Sequence, residues 1–127
     1  MNKMSKMKSA ETYRSSGAGI RKILVPTDFS PTSRLALYFG IAFARRFHAQ
    51  LTLLHVIEPT AVLYVFPTEV PRIEKDQRDQ ARRMLPALIS QKDQERLQLR
   101  SLVKTGEVAE EILSAAARER PDLVIMG

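Results

Sequence analysis

The sequence contains no cysteine and no tryptophan. The absence of cysteine excludes disulfides, thiolate metal sites and thiol nucleophiles from these 127 residues. No apolar run approaches the ~20 residues that span a bilayer, and the first residues lack the apolar core of a secretory signal. Since 44% of the residues are hydrophobic and 27% are charged, we expect one soluble globular domain in the cytoplasm, with no membrane partner.

Acidic residues are scarce at the amino end, and the net charge of +6 is concentrated there. The basic residues up to position 22 are Lys3, Lys6, Lys8, Arg14, Arg21 and Lys22, and Glu11 is the one acid among them. We predict a disordered basic tail over residues 1–20 and a nearly neutral domain over 21–127. No nucleic-acid partner is expected. The alternative, nucleic-acid binding by the tail, predicts an affinity that falls steeply with salt.

Short apolar runs alternate with longer amphipathic segments from Ile20 onward, which predicts an α/β fold with an open parallel sheet flanked by helices on both faces. The predicted strands cover residues 23–25, 51–57, 97–104 and 123–126. Continuous apolar runs indicate buried strands. Residues 97–104 instead alternate apolar and polar side chains, as an edge strand does. We therefore expect the first strand near the sheet centre and residues 97–104 at an edge.

The first helix should begin after Ser30 as N-cap, with Pro31 in its first turn, and end near residues 47–49. Its apolar spacing predicts an inward face made of Leu35, Phe39, Ala42, Phe43 and Phe47.

Two further helices are predicted. A loop should cover residues 60–71, followed by a charged helix over 73–92 that Pro86 kinks or divides. The third helix should follow Gly106 and end at Pro121. Its inward stripe would consist of Val108, Ile112, Leu113 and Ala116.

Four segments together resemble the universal stress protein family. They are residues 23–30 (ILVPTDFS), 53–57 (LLHVI), 103–106 (VKTG) and 121–127 (PDLVIMG). The resemblance runs from about Arg21 to Gly127, and it implies a Rossmann-like domain. In one subgroup of the family, ATP or AMP is bound through a loop of the form Gly-x2-Gly-x9-Gly-Ser/Thr after the fourth strand. Gly127 matches the first glycine of that loop. The family's last helix and fifth strand have no counterpart here, so we expect a C-terminally incomplete domain with four strands.

The resemblance also implies where adenine nucleotide would lie. Pro26, Thr27 and Asp28 match the segment beside the ribose and adenine, Val56 matches the apolar residue against the base, and Met126 with Gly127 opens the phosphate loop. ATP or AMP, with magnesium accompanying ATP, is the expected ligand. From the residues alone, Asp28 could equally cap the next turn, and the Thr27 hydroxyl could serve only local backbone.

No catalytic or metal site is predicted. His48 and His55 are the only histidines, and no glutamate or cysteine stands at metal-ligand spacing from either. We expect a stress-response or signalling module that binds adenine nucleotide without dedicated catalysis. The alternatives are a nucleotide-independent dimeric interaction protein and an ATP-hydrolysing enzyme of the related ATP-pyrophosphatase class. The latter needs a glycine-rich loop after the first strand, where the chain has Pro26-Thr27-Asp28-Phe29-Ser30.

Self-association is expected as well. The fourth strand would present unpaired backbone groups at the sheet edge, an arrangement that recruits another chain. A symmetric homodimer is the commonest solution, and dimers are also common in the family that the sequence resembles.

Overall fold

A computed structural model of the protein describes residues 19–59, 65 and 67–127. The strands are β1 (Lys22–Pro26), β2 (Gln50–Ile57), β3 (Arg100–Thr105) and β4 (Leu123–Val124). The helices are α1 (Pro31–Phe47), α2 (Val70–Ala87), α3 (Gln91–Arg96) and α4 (Val108–Glu119), and a 3₁₀ turn at Pro67–Glu69 precedes α2. The predicted tail lies outside the described residues, except for its last two. No helix in the described part of the chain is long and apolar enough to cross a membrane.

The four strands form one parallel sheet in the order β3-β2-β1-β4. Two predictions are confirmed by this order: β1 lies inside the sheet, and β3 lies at an edge. The chain passes from β1 to β2 to β3 in one direction and then returns to the far side of β1. Because parallel connections are right-handed, this reversal places helices on both faces.

Two apolar layers hold the sheet between its helices. On one face, Ile23, Val25 and Leu53 pack with Leu37 of α1 and Leu85 of α2. On the other face, Leu24 and Leu54 pack with Ala115 of α4. Each central strand is therefore apolar on both sides, which is why its sequence shows a continuous run and no alternation.

The predicted inward face of α1 is wrong. Its large apolar residues are exposed, with Leu35 at 58% and Phe39 at 50%, and Ala42, Phe43 and Phe47 are also exposed. The buried residues are instead small or medium in size: Ser33, Ala36, Leu37, Gly40 and Ala44. Gly40 accounts for this choice, since a Cβ atom there would lie 2.6 Å from Cγ2 of Val25. The helix approaches β1 too closely for aromatic rings to lie between them.

The region between β2 and β3 also differs from prediction. The helix predicted over 73–92 begins at Val70, because Pro71 falls in its first turn, where a missing N–H costs nothing. Pro86 lies in the last turn, and a separate α3 follows. Leu97 caps α3 and is buried, so β3 begins only at Arg100. Residues 60–64 and 66 of the predicted loop lie outside the described residues.

The last part of the chain needs two smaller corrections. Leu113 does not belong to the inward stripe of α4, because it is 70% exposed and Ala115 is buried instead. The strand assigned as β4 is shorter than predicted. Its pairing with β1 nevertheless continues in one hydrogen bond from the Ile125 amide to the Leu24 carbonyl, at 3.0 Å.

An ion pair ties the end of α1 to the start of α3. Nε of Arg45 donates to Oδ1 of Asp93 at 3.1 Å, and Nη2 of Arg45 donates to Oδ2 of the same carboxylate. The Asp93 side chain is 7% exposed. Hydrogen bonding from Arg45 lowers the pKa of Asp93 below its ordinary value.

Replacing Gly40 with alanine should destabilise the fold by about 1 to 3 kcal/mol, because the new methyl group meets Val25 in a packed interface. Alanine is the better helix former, so helix propensity alone predicts the opposite sign. Urea unfolding measures the change in the free energy of unfolding. Ala42→Gly, on the exposed side of α1, is the control that measures the effect of helix propensity alone. A Gly40→Ala protein more stable than the parent would contradict the close contact.

Asp93→Asn should lower the free energy of unfolding at neutral pH. A carboxylate whose pKa is lower in the folded state stabilises the fold above its unfolded pKa of about 3.9, and this contribution is lost as the pH falls through the folded value. The difference between parent and variant should therefore shrink below about pH 4. Urea unfolding across pH checks this, with exposed Asp76→Asn as a control that should show little difference at any pH.

Candidate functional site

A cavity of about 390 Å³ opens at the carboxyl end of β1, where the strand order reverses. Ligands of open α/β sheets bind in such crevices, because the flanking helices diverge to opposite faces there. The cavity is lined by residues from β1, β2, both neighbouring helices and the segment after β4: Pro26, Thr27, Asp28, Ser33, Leu54, Val56, Glu58, Val108, Ile112, Met126 and Gly127.

All six residues that the sequence analysis selected line this cavity. Pro26 is the last residue of β1, and Thr27 and Asp28 follow it. Val56 lies near the end of β2, in register with Lys104 of β3. The chain after β4 supplies the other two residues, Met126 and Gly127. The parallel register brings these separate segments together, because the carboxyl ends of all four strands share one edge of the sheet.

Hydroxyl groups fix the turn between β1 and α1. Oγ1 of Thr27 lies 3.0 Å from Oγ of Ser33 and accepts a hydrogen bond from the Phe29 amide at 3.1 Å. Ser30 is the predicted N-cap of α1, and its Oγ accepts from the Ser33 amide at 3.2 Å. Thr27 is buried, at 6% exposure. Its hydroxyl therefore stabilises the local backbone, which is one of the two roles that the sequence left open for Thr27.

Asp28 is exposed at the mouth of the cavity. Its Oδ1 accepts from the Ser30 amide at 2.9 Å, which makes an Asx turn. Hydrogen bonding from Ser30 lowers the pKa of Asp28 to about 2, so the group is anionic at neutral pH. The capping interpretation and the binding interpretation are therefore compatible: the turn orients the carboxylate, which stays open to the cavity.

Two backbone features lie beside the cavity. A Cβ atom at Gly127 would lie 2.6 Å from the carbonyl oxygen of Thr32, so the segment after β4 passes the first turn of α1 at a distance that only glycine allows. Phe29 has φ of 65°, a left-handed conformation that is uncommon for an aromatic residue. Such strain persists where the surrounding structure enforces it. Here the ring of Phe29 lies 4.6 Å from that of His55.

The chemical character of the cavity is apolar and acidic. Val56, Val108 and Ile112 supply its walls, and Asp28 and Glu58 are its two charged residues. No basic side chain is found among the described residues of the lining. The arrangement suits a flat apolar group with hydrogen-bond donors, and it gives no compensation to a phosphate.

The five other lining residues were not selected in the sequence analysis: Ser33, Leu54, Glu58, Val108 and Ile112. Ser33 was detectable, because it stands three residues after the N-cap, where its amide meets the cap side chain. Glu58 directly follows β2, the position from which a side chain reaches the ligand edge. Val108 and Ile112 lie at this end because α4 begins directly after the carboxyl end of β3 and packs on Leu24 and Leu54, which requires knowledge of the topology.

A neighbouring cavity of about 380 Å³ lies on the other side of β2. It shares Asp28, Val56 and Glu58 with the first cavity, and Phe29, His55 and residues of α2 complete it. Nδ1 of His55 lies 2.8 Å from the Thr27 carbonyl oxygen, so this histidine is tied to the turn. Across the described residues, no group of three or more histidine, aspartate or glutamate side chains is arranged to hold a metal ion.

Comparison with known proteins was made at the levels of sequence and structure. The sequence model of the universal stress protein family matches residues 19–127. None of the curated proteins matches the chain.

Several solved structures have a similar fold. The hypothetical protein MJ0577, described in a structure-based assignment of its biochemical function, is 30% identical with a TM-score of 0.70, over 85% of this chain and 74% of that one. A universal stress protein family member from Burkholderia pseudomallei is 26% identical with a TM-score of 0.63, over 85% and 81%. A universal stress protein in complex with cAMP is 17% identical with a TM-score of 0.52, over 83% and 70%.

The family match covers the residues of all four strands, and the structural matches have a similar α/β fold. The chain belongs to the universal stress protein family.

Proposed function

We propose that this protein is a stress-response or signalling module that binds an adenine nucleoside or nucleotide at the carboxyl end of β1. The observation that carries the proposal is the single cavity shared by Pro26, Thr27, Asp28, Val56, Met126 and Gly127. By the sequence resemblance, each of these residues matches a position of the family's nucleotide site. The cAMP bound to a relative supports an adenine ligand, although that relative shares only 17% of its sequence with this chain.

The walls of the cavity suit the base. Adenine is flat and apolar on both faces, and burial against Val56 and Ile112 would stabilise it by roughly 25 cal/mol for each Å² of apolar surface removed from water. The volume of about 390 Å³ lies within the range of small-molecule sites. The base would thus be held mainly by contact area, with little hydrogen-bonding selectivity from these side chains.

Asp28 would hold the ribose. An ionised carboxylate at the switch point of an α/β sheet accepts hydrogen bonds from ribose hydroxyls, and the Asx turn with Ser30 holds this carboxylate in place. The described lining would give the phosphates little electrostatic stabilisation, because Asp28 and Glu58 repel anions and no cation compensates for that repulsion. A catalytic role has less support for the same reason, because phosphoryl transfer needs cationic stabilisation of the phosphates.

Calorimetric titration with adenosine, AMP and ATP tests this proposal. We expect weak binding of all three, with ATP no tighter than adenosine by more than about threefold, because the nucleoside makes nearly all the favourable contacts. Absence of adenosine binding would contradict the proposal and favour a nucleotide-independent interaction protein. Strong preference for ATP with magnesium would contradict the assignment of weak phosphate contacts.

Variants of Asp28 separate the turn from the ligand contact. Asp28→Asn keeps an acceptor for the Ser30 amide but removes the charge, and it should weaken adenosine binding by about tenfold or more. Since the pKa of Asp28 is about 2, parent affinity should stay level from neutral pH to about pH 4. Exposed Asp76→Asn is the matched control. Equal effects of the two substitutions would show that the loss is not local.

We also propose that the protein forms a homodimer through the edge of β4. In the described chain β4 pairs with β1 only, and Val124 and Met126 are exposed, at 38% and 60%. An exposed apolar edge strand is a template for pairing with another strand, and a two-fold axis would pair two identical edges.

Sedimentation velocity tests the dimer. The parent should sediment as a dimer, whereas Val124→Lys should sediment as a monomer because a charge is placed at the edge. Leu113→Lys is the control, since Leu113 is exposed on α4, away from this edge. A parent that remains monomeric at every concentration, or a control that dissociates equally, would contradict the proposal.

A further inference from the structure

The cavity between β2 and α2, here called the α2 cavity, differs in its lining from the adenine site. Its volume of about 380 Å³ lies within the range of small-molecule sites. The turn after β1 and the end of β2 form one part of its lining, and α2 forms the rest. Asp28, Val56 and Glu58 belong to both cavities, whereas the residues of α2 line the α2 cavity alone.

The side of α2 that lines the cavity carries no charge. Eight of the 18 residues of α2 are charged, but those at the cavity are Gln77, Gln80, Ala81 and Met84. Residues at this spacing lie on one side of a helix. Ion pairs along the helix engage charged residues of its other sides, namely Lys75 with Asp79, Arg78 with Glu74 and Arg82 with Asp79. The helix therefore contributes amide and thioether groups to the cavity and no basic side chain.

The charged groups of the α2 cavity are acidic. Asp28 and Glu58 line it and are exposed, and the ion pairs of the described chain include neither carboxylate. Hydrogen bonding from Ser30 lowers the pKa of Asp28 to about 2, so this carboxylate is anionic at neutral pH. Apart from the imidazole of His55, no basic side chain is found among the described residues of the lining. Such a cavity attracts cations.

His55 and Phe29 also suit a cation. Nδ1 of His55 lies 2.8 Å from the carbonyl oxygen of Thr27. Because a carbonyl oxygen only accepts, the proton of the neutral imidazole is on Nδ1, and Nε2 of that tautomer is an acceptor. The His55 ring packs on the ring of Phe29, with centroids 4.6 Å apart. The face of a phenylalanine ring attracts a cation that lies within about 6 Å of its centre.

The apolar part of the lining distinguishes an organic cation from a metal ion. Phe29, Val56, Ile57 and Met84 come from the turn, from β2 and from α2, and the flexible thioether of methionine adapts to ligands of different shape. The described residues place no three histidine, aspartate or glutamate side chains together to hold a metal ion. The lining therefore favours a cation that has an apolar body, since only such a cation gains from these walls.

We propose that the α2 cavity binds a small organic amine in its protonated form, with an aromatic or alkyl body. The ammonium group would donate hydrogen bonds to the carboxylates of Asp28 and Glu58 and to the side-chain oxygen of Gln80, and charge makes such bonds stronger than neutral ones. The body would pack on Phe29 and Met84. This proposal goes beyond adenine binding, because it uses residues of α2 that the adenine site lacks.

Benzylamine is the probe, titrated into the full chain without nucleotide and followed by amide chemical shifts. We expect the largest changes at His55, Gln80 and Met84, and small changes at Val108 and Ile112, which line the adenine site only. Benzyl alcohol has the ring without the charge, and methylammonium has the charge without the ring. Each should bind about fivefold more weakly or worse, because each lacks one of the two sets of contacts.

A charge placed on α2 tests the location of the amine. Gln80→Lys puts a cation at the cavity and should weaken benzylamine binding by about tenfold or more. Gln91→Lys makes the same change at the start of α3, outside the lining, and should alter the affinity by no more than about twofold. Both glutamines are exposed, so thermal unfolding should show that both variants retain the fold.

Four outcomes would overturn the proposal. Absence of saturable binding at millimolar benzylamine would do so, and equal binding of benzyl alcohol would show that the charge is not recognised. If Gln91→Lys weakened binding as much as Gln80→Lys, net charge alone would explain the affinity. If the shifts appeared at Val108 and Ile112 while Gln80→Lys had no effect, the amine would occupy the adenine site.

Adenosine titrations separate this proposal from the proposed function. A protein that binds benzylamine at α2 but no adenosine would contradict adenine binding and support the amine site. A protein that binds adenosine but no benzylamine would give the opposite result. Gln80→Lys should not weaken adenosine binding, because Gln80 does not line the adenine site.

Discussion

The reversal of strand order at β1 is the constraint on which the rest of the structure depends. β1 pairs with β2 on one side and with β4 on the other, and all the pairs are parallel. The connections must therefore send α1 and α2 to one face and α4 to the other. That divergence opens the cavity beyond Pro26. The same parallel arrangement gathers the amino ends of the strands, and with them Lys22, at the opposite end.

The two ends of the sheet consequently differ in charge. The cavity at the carboxyl end contains Asp28 and Glu58 and no cation among its described residues, whereas the cavity at the amino end is lined by Arg21, Lys22 and Arg46 and by no acidic residue among those described. The walls and charges of the first cavity suit a ligand with a neutral base and sugar. The exposed aromatic side of α1 runs between the two ends, from Leu35 to Phe47, because the close approach at Gly40 turns small residues toward the sheet.

Strand identity and order were predictable from the sequence because apolar runs and right-handed connections leave few alternatives. The six site residues were predictable only through the family resemblance, which fixes positions that spacing alone leaves open. The face of α1 was not predictable: apolar spacing selects Phe39 and Phe43, but packing distance at Gly40 selects Ala36 and Leu37. Glu58 and Ile112 enter the site through topology.

A crystal structure of the full chain with adenosine tests the central claim most directly, namely that the reversal at β1 creates the ligand site. The account predicts adenine between Val56 and Ile112, with the ribose hydroxyls within hydrogen-bond distance of the Asp28 carboxylate. Adenosine bound instead beside His55 and Met84 in the neighbouring cavity would contradict it.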